Sequence, residues 1–117
     1  MSDVDETGRS PRVTWALDAL RSLHGHALGS PRLREQRDET GERFLARFDR
    51  LLEALAAGSP DYEFEGRELM ATLQLQYPEL WEVLDRRLLW FFGGDCLHFL
   101  DDEEIDLFQR ADEAAAD

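Results

Sequence analysis

The sequence has no lysine, and all 13 of its basic residues are arginine. This bias matches a GC-rich genome or a salt-adapted host and identifies no activity by itself. There is a single cysteine, Cys96, so no internal disulfide is possible and a reducing cytoplasm is the expected location. Apolar runs are short. None approaches the roughly 18 residues of a membrane span, and the N-terminus Met-Ser-Asp-Val-Asp-Glu lacks the basic and apolar blocks of a secretion signal. No strand-like alternation lasts and no hairpin turn is flanked by strand patterns. Repeats with a period of roughly 20–50 residues are absent too. Phosphate-binding loops, dinucleotide fingerprints, metalloprotease pairs and nucleophile elbows are also missing, so no cofactor is expected and an enzyme is disfavoured.

What is present is a globular composition. Hydrophobic residues at 43% and aromatics at 10% of a 117-residue chain suffice for one core without staples. Acidity is uneven along the chain. Of the net charge of −13, residues 95–117 carry 9 acids against the lone Arg110, whereas residues 1–60 carry 10 acids and 9 arginines. A uniform solubility coat does not explain this gradient.

Helical punctuation organises the rest. Ser-Pro occurs at Ser10-Pro11, Ser30-Pro31 and Ser59-Pro60, each able to start a helix through a serine cap and a proline in the first turn. The apolar stripes predict helices over Pro11–His24, broken by Gly25 to Gly29, and over Pro31–Ala57, closed by Gly58. Further helices are predicted over Glu63–Gln76 and Pro78–Phe92, with a last one opened by the Asp101…Glu104 capping box. The first half of the second helix lacks a clean apolar stripe and is expected to project or fray. Together these give an all-α protein, a small four- to five-helix, mainly antiparallel bundle. Residues 1–9 are expected to be a flexible N-terminus and residues 10–117 one domain with frayed last residues.

Four features carry functional hints. Around the end of the fourth helix, Leu89 and Trp90 lie off the main stripe, so they are either wrapped by core or presented to a partner. The segment Asp95, Cys96 and His98 follows a double glycine. With His24 and His26 it provides two spaced donor pairs that could form a metal or thiol site, although the spacings match no usual zinc pattern. Arg32, Arg34, Arg37, Arg43, Arg47 and Arg50 suggest phosphate contact, yet interleaved acids make intrahelical pairing the better reading. The run Asp101, Asp102, Glu103 and Glu104 suits a helix N-terminus, a basic partner or mimicry of a phosphate backbone.

The leading reading is a small soluble, cytoplasmic interaction or regulatory protein. It would bind another protein through Leu89, Trp90, Asp101, Asp102 and Glu103. No direct nucleic-acid or membrane binding is expected, and a homodimer is compatible. The alternatives are a metal protein or enzyme centred on Asp95, Cys96 and His98 with His24 and His26, and an acidic nucleic-acid mimic.

Overall fold

A computed structural model of the chain describes residues 10–35 and 38–116. Among these the protein is all-α: α1 (Pro11–Gly29), α2 (Pro31–Glu35), α3 (Glu39–Ala57), α4 (Tyr62–Gln76), α5 (Pro78–Val83), α6 (Arg87–Phe92), a 3-10 segment (Gly94–Phe99) and α7 (Asp102–Ala116). The expected small helical bundle is what the chain forms, with α3 packed on α1 and α4, and α6 against α4. None of the described helices is long and apolar enough to cross a membrane. The proposed flexible residues 1–9 and the final residue lie outside the described residues.

The three Ser-Pro sites act differently. The Ser10 hydroxyl accepts from the Val13 amide at 3.2 Å and Pro11 opens α1, as a serine-proline start should. At the second site the Ser30 hydroxyl is buried without a hydrogen-bond partner, so there the proline alone begins α2. The third makes a turn, with Ser59 Oγ accepting from the Asp61 amide at 3.3 Å before α4 begins.

Three predicted boundaries change, each for a local reason. Instead of stopping near His24, α1 runs through Gly25 to Gly29, because Leu20, Leu23 and Ala27 continue one buried face across the glycine. Packing there outweighs the weak helix propensity of glycine. The predicted second helix is two, since Asp38 caps α3 by accepting from the Gly41 amide at 2.9 Å. Its first part does not project: Leu33 is buried, and Arg32 lies over the Tyr77 ring at 4.8 Å. The predicted fourth helix also breaks, at Leu84, whose backbone is extended. Asp85 Oδ1 accepts from the Arg87 amide at 3.0 Å and restarts the chain as α6, the competition between a short acidic side chain and the helix ladder.

This break turns α6 so that Leu88, Leu89, Phe91 and Phe92 are all buried. The tightest of these contacts is with α4. Gly66 faces the Phe92 ring so closely that an added Cβ would lie inside the ring's van der Waals surface. Glycine is required here by space, not by backbone conformation. At the end of α6, Gly93 and Gly94 take consecutive left-handed angles, φ 64° and 57°, which reverse the chain into the 3-10 segment. Gly94 also lies under Arg67, whose Nε donates to the Phe92 carbonyl at 3.0 Å.

Gly66→Ala is therefore expected to destabilise the fold by about 1–3 kcal/mol through overpacking. Gly25→Ala, with open space around its added Cβ, is expected to stabilise it by roughly 0.5–1 kcal/mol. Urea midpoints at unchanged m-value measure both.

Candidate functional site

Three segments distant in sequence meet at an open groove of about 680 Å³: the first turns of α1, the solvent edge of α6 and the middle of α7. Each wall contributes aromatic surface. Trp15 comes from α1, Trp90 and Phe91 from α6, and Phe108 from α7, with Arg12, Arg87 and Asp112 at the edges.

The α1 wall is fixed by arginine on aromatic faces. Arg12 lies 5.1 Å above the Phe91 ring and Arg87 4.7 Å above Trp15. Arg87 is also paired with Asp85 at 3.2 Å. A guanidinium over a ring gains from the ring quadrupole while its polar edge remains free to meet a carboxylate.

The α7 wall depends on a different arginine. Arg86, in the break between α5 and α6, donates from Nη2 to the Phe99 carbonyl at 2.6 Å and to Glu104 Oε1 at 3.0 Å, while its Nε pairs with Glu104 Oε2. Glu104 in turn completes the predicted capping box: its Oε1 accepts from the Asp101 amide at 3.2 Å, and Asp101 Oδ1 accepts from the Glu104 amide at 2.8 Å. Hydrogen bonding to Arg86 holds the Glu104 carboxyl below the usual carboxylate range and raises the Arg86 guanidinium. Farther along α7, Phe108 packs on Trp90 with ring centroids 6.4 Å apart, and the Trp90 indole N–H donates to Asp112 Oδ2 at 2.7 Å.

The expected partner residues are thus separated by the fold. Trp90 is half-buried and lines the groove. Leu89 is not available: it is fully buried at 0% exposure, because the break before α6 turns its off-stripe position into the core. Asp101, Asp102 and Glu103 are exposed at the start of α7, away from the groove lining. Sequence patterning missed Arg12, Trp15, Arg87, Phe108 and Asp112. Trp15 carried a usable signal, being a large aromatic off the α1 stripe, as Trp90 is off that of α6.

The alternative site does not assemble. His24 turns to Asp49, Nε2 to Oδ1 3.1 Å, and rests edge-on against Phe48. His26 is exposed on α1. In the 3-10 segment Asp95 and His98 face solvent, whereas Cys96 is 1% exposed. His24, His26, Cys96 and His98 therefore form no common donor set, and the described residues contain no cluster of three or more His, Cys, Asp or Glu placed to hold a metal ion. Burial pushes the Cys96 thiol up to about 11, the opposite of the activation a nucleophile needs.

Two measurements test these arrangements. With the folded Glu104 carboxyl below its unfolded value, the clamp's contribution is complete above the ordinary carboxylate range and is lost as pH falls through the folded value. Glu104→Gln should cost about 1 kcal/mol near neutral pH, discounted for the partial exposure of both groups, and the parent and variant stabilities should converge in acid. For Cys96, a thiol reagent at mildly alkaline pH should react only as the protein opens, and fast stoichiometric labelling of the folded protein would contradict the burial.

Comparison with known proteins adds a family to this geometry. No curated protein and no solved structure matches the chain. A family model described as PA2817-like matches residues 9–117, which takes in all three walls of the groove, and the chain accordingly belongs to the PA2817-like family.

Proposed function

We propose that this is a protein-binding module of the cytoplasm, with the groove between α1, α6 and α7 as its docking surface. The observation that carries the reading is that Trp15, Trp90, Phe91 and Phe108 wall a groove of about 680 Å³ among the described residues. Clustered tryptophan and phenylalanine in a recess are what binding hot spots are made from, since they combine large apolar area with little conformational entropy to lose.

Charge supplies the direction. Asp112 lines the α7 wall while Arg12 and Arg87 line the walls facing it, and the net charge of −13, concentrated in the sequence from residue 95 onward, favours a basic protein over nucleic acid at long range. Acids at Asp101 to Glu104 are also accounted for as first-turn and capping residues of α7, which makes the groove, not the acidic run, the specific element.

Affinity capture from extracts of the native host tests the reading, using the parent chain beside Trp15→Leu and Trp90→Leu variants shown by urea melts to be folded. The expected result is one defined protein retained by the parent and lost with both variants. Equal recovery by all three would overturn the groove as the docking surface.

A further inference from the structure

We propose that the groove receives an arginine side chain from the partner, lying over the Trp90 ring and paired with Asp112; this rests on the groove being the docking surface. The inference comes from a unit that the molecule builds three times from its own residues: an aromatic ring, a guanidinium over it and a carboxylate on that guanidinium. Arg87 lies 4.7 Å over Trp15 and pairs with Asp85 at 3.2 Å. Arg86 lies 5.9 Å over Trp81 and pairs with Glu104. Arg32 lies 4.8 Å over Tyr77 and pairs with Glu79 at 3.7 Å.

Of the three tryptophans, Trp90 is the one that carries no guanidinium among the described residues. It nonetheless has the carboxylate. Asp112 accepts the indole N–H through Oδ2, and its other oxygen is directed to no described partner. Trp90 and Asp112 both line the groove, so the incomplete unit opens toward the docking surface rather than into the core. An incoming arginine would complete it with a cation–π contact and a charge-assisted hydrogen bond, and its methylenes would pass along Phe108. Lysine fits less well, because an ammonium cannot lie flat on the indole while its edge meets the carboxylate. The acidity of α7 favours a cation at Asp112, on the wall opposite the lining residues Arg12 and Arg87.

The test uses the full chain labelled with ¹⁵N, following the indole N–H signals of Trp15, Trp81 and Trp90. The probe is a short peptide of alternating leucine and arginine, with a matched peptide in which neutral, nearly isosteric citrulline replaces arginine, and a third with glutamate. The arginine peptide is expected to move the Trp90 signal in a salt-sensitive way. Citrulline for arginine, or Asp112→Asn in the protein, is expected to weaken binding roughly fivefold or more. Asp112 is exposed, and a urea melt of its variant separates lost binding from lost folding.

Equal binding of the arginine and citrulline peptides would overturn the arginine inference and leave the docking reading standing. If no peptide moves Trp15 or Trp90, the arginine inference falls, and the docking reading is decided by the capture experiment. A Trp90 signal that follows the protein's own concentration would identify a second copy as the occupant. One that moves on Arg9→Gln without peptide would identify the chain's own arginine, and either result overturns the proposal.

Discussion

The bond network around Arg86 is the point on which the arrangement of the C-terminal half turns. Arg86 occupies the short break between α5 and α6, and from there it reaches the last carbonyl of the 3-10 segment and the capping glutamate of α7. One planar cation thus joins the end of one element, the bend in a second and the start of a third. Multiple donors in a fixed fork make this possible for arginine. Because Glu104 also closes the capping box of α7, the same carboxylate that docks the helix stabilises its first turn.

Beyond that clamp α7 has a light hold on the body. Phe108 is its one buried residue among those described, with Ile105 and Glu104 partly covered, and Leu107 is 62% exposed. A helix attached by a clamp at one end and a ring contact in the middle belongs to the low-stability part of a protein, where local opening costs least. The groove lies under this helix, so whatever fills it also adds to the surface that holds α7 down.

Much of the fold was legible in the sequence because it is written in local signals. Pro11 after Ser10, Gly58 in the left-handed conformation and the Asp101…Glu104 box each fix a helix end within a few residues. The apolar faces of α3 and α4, including Gly66, followed from a period of about 3.6 residues. The bend at Leu84 was not legible, since Asp85 on a solvent-facing helix position reads the same whether its side chain is free or caps the next amide. Nor was the groove. Arg12, Trp15, Arg87 and Asp112 meet only through tertiary packing, and no spacing along the chain encodes that meeting. Trp90 was visible as an off-stripe residue, whereas Leu89, equally off-stripe, went to the core once the helix axis changed at the bend.

The contact of Gly66 with the Phe92 ring has an evolutionary side. Neither position is free to vary alone, because the volume available to one is set by the size of the other. A larger residue at 66 becomes tolerable only beside a smaller one at 92, and the two-step route passes through either an overfilled or a hollow core. Positions 66 and 92 should consequently drift as a pair across the PA2817-like family, a joint record of one steric constraint that a single chain cannot display.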